Sequence, residues 1–340
     1  MRTLTLLHRW LGVPFSLLFA MWFASGIVMH FVPFPALTEV ERVAGLAPID
    51  VARVTHGPGE AAVASGIPSV TSVALLQRAD GPVYVVSGGG RLEALHADDL
   101  SPAGVGTADL ALAIAIAHAR HRGLDAAGAT SATSLGRDQW TVAGDLDPHR
   151  PLWRVALNDP AGTELYVSSV TGEVLRDTTR RERWWGYVGS VAHWLYPTAL
   201  RANPRAWIVT VWILSGLASV AAITGLALGV AMLITRRTLS PAGPWHAWHH
   251  ALGLLCANFV LSWIVTGWLS VDDGLVFAPR KLYGVLHILD FPALASHPAL
   301  RSALIVSLCG CGLAFSVTGC IIAWRRARLW IGGDRHGAVR

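Results

Sequence analysis

The chain has 340 residues, of which 53% are hydrophobic and only 14% are charged, and its mean hydropathy is +0.45. This balance argues against a soluble protein and indicates a membrane protein with several spans. The net charge of +5 accompanies no basic stripe interleaved with exposed aromatic residues, which excludes nucleic-acid binding.

Four stretches lack Asp, Glu, Lys and Arg and are long enough, at ~1.5 Å rise per residue, to cross the ~30 Å hydrocarbon layer. They cover residues 10–32, 206–234, 251–271 and 302–324. The first is longer than the apolar core of a signal peptide and matches an internal span, so we expect a retained helix. The predicted order is a helix at 1–32, a large region at 33–205, helices at 206–235 and 251–271 around a loop at 236–250, a loop at 272–301, a helix at 302–325 and a tail at 326–340.

Basic residues cluster on one predicted side of the membrane. They precede the first span and follow the second and fourth: Arg2, Arg9, Arg236, Arg237, Arg325, Arg326 and Arg328. Because Lys and Arg concentrate on the cytoplasmic side, both termini are predicted to be cytoplasmic and the region 33–205 to be extracytoplasmic.

The large region is predicted to be α+β. Its second part, 107–177, combines a helix at 108–123 with strands in RDQWTVAG, PLWRVALND, TELYVSSV and VTGEVL. The first part, 48–104, is a weaker copy with a helix near 51–65 and strands in SVALLQ, PVYVVSG and RLEAL. The remaining residues, 180–205, are predicted to lie at the membrane interface.

The spans repeat one another. The segment from His8 aligns with that from His249 at an offset of 241 residues, which also superposes Gly12 on Gly253. A second alignment, at an offset of 94, places His193 over His287. We therefore predict a four-helix transmembrane bundle built from a duplicated hairpin, with the α+β region inserted into it.

The repeat suggests two histidine pairs, because equivalent positions in two copies face each other across a pseudo-twofold axis. Neutral imidazoles at one depth bind both axial positions of a b-type haem iron. The predicted ligands are His8 with His249 and His193 with His287, and Gly12 and Gly253 would leave room for the porphyrin. Alternatives are His250 or His246 in the first pair and His30 or His297 in the second. Close helix packing with interfacial histidines would also explain the glycines.

Three motifs carry a resemblance to a known family. They are LHRWLG at 7–12, Thr-Gly-Glu-Val at 171–174 between two strands, and HWLYP at 193–197 before a span. Over nearly its whole length the chain resembles the PepSY-associated transmembrane proteins. The resemblance implies a PepSY-like periplasmic region, a bacterial inner-membrane location among membrane lipids and, in some members, haem-dependent reduction of ferric siderophores.

The expected function is therefore transmembrane electron transfer through two b haems, with a ferric siderophore as the extracytoplasmic acceptor. No GxGxxG fingerprint is present, so a separate cytoplasmic or quinol donor is implied. A basic and aromatic segment is predicted to receive the chelate: Arg180, Arg181, Arg183, Trp184, Trp185 and Tyr187. The same residues would equally suit a membrane anchor. The alternative function is a haem-free membrane protein whose PepSY-like domain binds a protein partner, in protease regulation or envelope assembly.

Overall fold

The computed structural model describes residues 1–236, 243–271 and 280–333. Within this part the chain forms two compact units. The helical unit comprises Met1–Pro33, Tyr187–Tyr196 and the residues from Asn203 onward, and the α+β unit comprises Phe34–Gly186 with Pro197–Ala202.

The elements of the described part follow in chain order. The helices are α1 (Arg2–Phe31), α2 (Glu39–Ala44), α3 (Pro58–Ala64), α4 (Ala108–His121), α5 (Arg180–Gly186), α6 (Thr198–Arg201), α7 (Pro204–Arg236), α8 (Pro244–Leu269), α9 (Arg280–His287), α10 (Pro292–Ala295) and α11 (Pro298–Gly333). The strands are β1 (Ser72–Arg78), β2 (Gly81–Gly88), β3 (Arg91–His96), β4 (Ala132–Leu135), β5 (Leu152–Ala156), β6 (Glu164–Ser168) and β7 (Val174–Thr178). Short 3-10 helices occur at Val51–Arg53 and Gly144–His149, and a π-helix at Tyr187–Val191.

Four helices of the described part, α1, α7, α8 and α11, are long and apolar enough to cross a membrane. The chain is therefore a multi-pass membrane protein, as the composition predicts. Helices α1, α7 and α11 extend beyond their charge-free stretches; α11, for example, continues past Arg325 and Arg326. Absence of charge marks the part suited to hydrocarbon, whereas the helix itself continues where charged side chains reach water.

In the helical unit, α1 and α8 each pack against both α7 and α11. The interior contains large side chains from α1, such as Phe15, Phe19 and Phe23, and small ones from the other helices, such as Ala218 and Cys256. Small residues let helix backbones approach closely, and aromatic rings then fill the remaining space. Several buried hydroxyl groups of the bundle bond to carbonyls of their own helices, as Ser219 does to Ser215 at 2.9 Å.

The α+β unit contains two antiparallel sheets, with strand orders β1-β2-β3 and β4-β5-β6-β7. Helix α4 packs its apolar face, including Ile114 and Ala115, on the second sheet, whose buried residues include Leu165 and Val167. Alternating and β-branched segments form strands here because one face of each sheet is buried. The predictions of strands at 72–77, 82–88 and 91–95 and of an antiparallel sheet in 107–177 are confirmed.

Two local predictions are wrong. RDQWTVAG does not form a strand, because the Asp138 carboxylate accepts hydrogen bonds from the backbone N–H groups of Trp140 and Thr141 and closes a turn. The fourth strand of the sheet is instead β4. The single helix expected near 51–65 is divided, because Pro58 starts α3 and the Glu60 carboxylate accepts the Gly57 N–H at 2.7 Å.

Burial of His118 predicts how the stability of the α+β unit depends on pH. The imidazole is 5% exposed on α4. Burial lowers its pKa to about 4, and the nearby charges of Arg122 and His121 act in the same direction. In the unfolded chain the pKa returns to about 6.5. Between these values the unfolded state binds more protons, so this contribution is complete above pH ~6.5 and is lost as the pH falls toward 4.

We expect the free energy of unfolding to fall by up to about 3 kcal/mol over this interval. Thermal unfolding of the α+β unit, followed in the whole protein between about pH 7 and about pH 4, measures the loss. The matched variant is His118→Leu, which has no titrating group at this position and should show a smaller pH dependence. Equal pH dependence in the two proteins would contradict this explanation.

Candidate functional site

The helical unit brings four histidines together as two pairs. Pair A consists of His8 on α1 and His249 on α8, whose ring centres are 6.5 Å apart with an interplanar angle of 42°. Pair B consists of His193, which follows the π-helix, and His287, the last residue of α9; their ring centres are 6.3 Å apart at 79°. Both spacings are close to the ~6.4 Å expected for two imidazoles on opposite sides of one haem iron, given iron–nitrogen bonds of about 2.0 Å.

His193 is held by one turn of α1. Its Nδ1 lies 3.1 Å from the carbonyl oxygen of Trp22 and 3.1 Å from the hydroxyl oxygen of Ser25. The Trp22 indole also donates to the His193 carbonyl at 2.9 Å. A Cβ placed on Gly26 would lie 3.5 Å from Cε1 of the imidazole, so the ring rests against this glycine.

His287 makes the same contacts with α8. Its Nδ1 lies 3.0 Å from the carbonyl oxygen of Trp263 and 3.2 Å from the hydroxyl oxygen of Thr266. A Cβ on Gly267 would lie 3.1 Å from Cε1 of the ring. The glycine therefore provides space that a larger residue would occupy.

His8 makes the same kinds of contact with α7. Its Nδ1 lies 3.0 Å from the carbonyl oxygen of Ala221 and 3.5 Å from the hydroxyl oxygen of Thr224. The clearance is smallest here, because a Cβ on Gly225 would lie 2.6 Å from Cε1 of the imidazole. Only glycine lets the ring lie this close to the helix backbone.

His249 completes the set against α11. Its Nδ1 lies 3.0 Å from the hydroxyl oxygen of Thr318, and that hydroxyl donates to the carbonyl of Phe315 at 2.6 Å. The Phe315 ring stacks on the imidazole with centres 4.7 Å apart. A Cβ on Gly319 would lie 3.5 Å from Cε1 of His249.

Each histidine thus meets the same arrangement, which we call the cradle: a carbonyl at position i, a Ser or Thr hydroxyl at i+3 and a glycine at i+4. Residues at these spacings lie on one face of a helix. The four cradles are Trp22/Ser25/Gly26, Trp263/Thr266/Gly267, Ala221/Thr224/Gly225 and Phe315/Thr318/Gly319. The only sign of a cradle in the sequence is a Ser-Gly or Thr-Gly dipeptide in each span, and the sequence pattern does not reveal its role.

The cradles determine which ring nitrogen is available. A carbonyl oxygen only accepts hydrogen bonds, so Nδ1 carries the hydrogen in His8, His193 and His287. At His249 the Thr318 hydroxyl already donates its hydrogen to the Phe315 carbonyl, so Nδ1 of His249 is again the donor. Nε2 then carries a lone pair. Among the described residues, none makes a hydrogen bond to the Nε2 atom of any of these four histidines. A neutral imidazole with Nδ1–H bonded to the protein is the usual form of a metal-ligating histidine.

A cavity of about 1210 Å³ lies beside pair B. Both imidazoles line it, together with aromatic side chains that include Trp22, Trp263 and Tyr283. Ligand cavities commonly measure ~300–1,000 Å³ and combine apolar walls with a few polar groups. The volume and lining therefore suit a large, flat, mainly apolar cofactor such as haem.

The alternative histidines are placed differently. His30 lines the cavity, but its Nε2 lies 2.8 Å from the Ser302 hydroxyl. His297 is exposed and its Nδ1 faces the Ala293 carbonyl at 3.1 Å. His250 neighbours His249, with ring centres 6.5 Å apart, and His246 is half-buried one turn earlier on α8.

Gly12 and Gly253, the two glycines expected to flank a porphyrin, differ in what surrounds them. A Cβ on Gly12 would meet nothing within 4 Å, so no described residue packs against this position of α1. On Gly253 a Cβ would lie 3.1 Å from the Phe315 ring. Gly253 therefore packs against an aromatic side chain that itself covers His249.

The residues expected to attract the acceptor fall into two groups. The Arg183 guanidinium is bound by groups of the α+β unit itself. It donates to the carbonyl oxygens of Thr178 and Gly162 and lies 3.5 Å from the Glu164 carboxylate. The other five are exposed, with Trp184 at 71%: Arg180, Arg181, Trp184, Trp185 and Tyr187.

In the described ranges, no group of three or more His, Cys, Asp or Glu side chains is arranged to hold a metal ion. A haem iron needs only two protein ligands, since the porphyrin supplies four nitrogens. Comparisons with profiles of known protein families, with characterised proteins and with solved structures found no match to this chain.

Proposed function

We propose that the chain is a transmembrane electron-transfer protein that holds two b-type haems, one at pair A and one at pair B. The observation that carries the proposal is the cradle, which recurs at all four histidines and leaves each Nε2 without a hydrogen bond to a described residue. An anchor has no need for four imidazoles of one fixed tautomer in two facing pairs. When bound, haem supplies a one-electron redox centre; the chain supplies its ligands and its apolar surroundings.

The relation between the cradles supports the proposed duplication. His8 and the cradle of His193 lie on α1, and their counterparts, 241 residues later, lie on α8. The cradles of His8 and His249 lie on α7 and α11 at an offset of 94. One ancestral hairpin with a histidine and a Ser/Thr-Gly dipeptide, present twice, would account for both pairs.

The two pairs are separated along the helix axis in a way that suits transport across the membrane. Ser25, which contacts His193, lies 17 residues after His8, a rise of ~25 Å along α1. This is most of the ~30 Å thickness of the hydrocarbon layer. Two redox centres at these levels carry an electron from one face toward the other.

The arginine clusters support pair A as the cytoplasmic pair, because Arg2 and Arg9 flank His8. Pair B and the α+β unit are then periplasmic in a bacterial inner membrane. Following the family resemblance, the acceptor at pair B is ferric iron in a siderophore, which binds iron less tightly after reduction. The exposed Arg180 and Arg181 of the α+β unit carry positive charge that suits an anionic chelate, and the electron donor is a separate cytoplasmic protein or a quinol.

The acceptor is tested by mixing dithionite-reduced protein with a ferric siderophore under anaerobic conditions. We expect reoxidation of the haem spectrum with release of ferrous iron, one per electron, trapped by a ferrous chelator. The variant Arg180→Glu with Arg181→Glu should slow reoxidation by an anionic chelate and leave reoxidation by a neutral one unchanged. Reduced protein that stays reduced with every ferric chelate would remove iron as the acceptor.

A further inference from the structure

The cavity beside pair B contains one charged side chain among its described lining residues, Arg301 at the start of α11. Its Nε and Nη2 donate to the carbonyl oxygen of Ile288 at 3.1 and 2.8 Å. Ile288 directly follows His287 in the chain, so the guanidinium is held by the backbone one residue beyond a histidine of pair B. The side chain is half-buried.

Arg301 has no acidic partner in the described part of the chain. Among the ion pairs between described residues none involves it, and Asp290 is the single acidic residue in the described ranges of the helical unit. Nη1 makes no hydrogen bond to a described residue. A guanidinium that faces an apolar cavity at the edge of a bundle is costly unless an anion accompanies it.

We infer that Arg301 binds a propionate carboxylate of the haem held at pair B. This inference rests on the proposed function and assigns a further residue to the same site. A haem held by the two imidazoles of pair B would bring two propionate carboxylates, and each of these would need a cation, a hydrogen-bond donor or water. Among the described residues that line the cavity, Arg301 is the one with a permanent positive charge, and guanidinium–carboxylate pairs gain both charge and directed hydrogen bonds.

The pairing also gives Arg301 a role in the potential of this haem. Reduction adds an electron to the iron, so a neighbouring positive charge favours the reduced form. Loss of the guanidinium should shift the midpoint potential of the haem at pair B to a lower value. The haem at pair A should keep its potential.

The test compares haem with haem dimethyl ester, whose carboxylates are blocked. Full-length apoprotein carrying His8→Ala, so that pair B alone loads, is titrated with each compound in three forms: unchanged at 301, Arg301→Gln and Arg301→Lys. With Arg301 present we expect haem to bind about 10- to 100-fold more tightly than the ester. The Gln variant should bind the two equally, and the Lys variant should keep part of the preference.

Comparing two ligands within each variant removes any loss caused by weaker folding around Ile288. A Gln variant that retains the full preference for haem, with an unchanged midpoint potential at pair B, overturns the inference and leaves the haem proposal intact. Failure of the Arg301 protein to bind either compound overturns both the inference and the proposed function.

Discussion

Replacement of His8 by alanine is expected to halve the haem content of the purified protein, from two per chain to about one. An iron that loses an axial imidazole loses affinity and its low-spin spectrum. His249→Ala should remove the same haem, because the two rings face each other at 6.5 Å. His193→Ala and His287→Ala should each remove the other one.

Haem content by pyridine haemochrome assay and a redox titration measure these losses. His297→Ala is the matched control, since this histidine is exposed and its Nδ1 faces the Ala293 carbonyl of the preceding helix, α10. His250→Ala tests the neighbour of His249 and should keep both haems. Loss of both haems from every single variant, with the fold preserved, would contradict two independent pairs.

The second large effect is expected from one methyl group in the cradle of His8. In Gly225→Ala the added Cβ would lie 2.6 Å from Cε1 of the imidazole, closer than real contacts allow. The ring must move away from the Ala221 carbonyl, or the helices must separate. Overpacking of this kind typically costs about 1–3 kcal/mol, so we expect haem affinity at pair A to fall by roughly 5- to 150-fold.

Gly319→Ala is the matched control in the same pair. Its Cβ would lie 3.5 Å from the His249 ring, and its tightest contact, 3.1 Å from the Cβ of Ser16, is milder than the 2.6 Å at Gly225 and does not involve an imidazole. Alanine favours helix over glycine by about 1 kcal/mol, so neither substitution should weaken the helix itself. Titration of the two apoproteins with haem measures the affinity at pair A in each variant. Equal affinity at pair A in both variants would show that the glycine clearance is unimportant.

The architecture of the helical unit is largely predictable from the sequence. A span is specified by local composition alone, so charge-free stretches locate α1, α7, α8 and α11, although they understate the helix lengths. The proximity of His8 to His249 was predicted from their equivalent positions in the proposed repeat and not from local pattern. The strand prediction failed at RDQWTVAG. Although this segment alternates as a strand does, the carboxylate of Asp138 stabilises a turn there.

The cradles were not predictable, because they join residues far apart in the chain. His8 contacts Thr224 and Gly225, which lie more than 200 residues later. A Thr-Gly dipeptide in a membrane helix equally suits close packing between helices. Only the three-dimensional arrangement shows the hydroxyl at Nδ1 and the glycine under the ring. Arg301 is similar, since its approach to Ile288 depends on how α11 meets the segment after α9.

The measurement that tests the central claim most directly is the absorbance spectrum of the protein purified from haem-replete cells, recorded oxidised and after dithionite, with haem quantified per chain. We predict a Soret band, reduced bands of low-spin b-type haem and two haems per polypeptide. A colourless protein, or one in which haem is absent from both histidine pairs, would contradict the account and favour a membrane protein that acts by binding a protein partner.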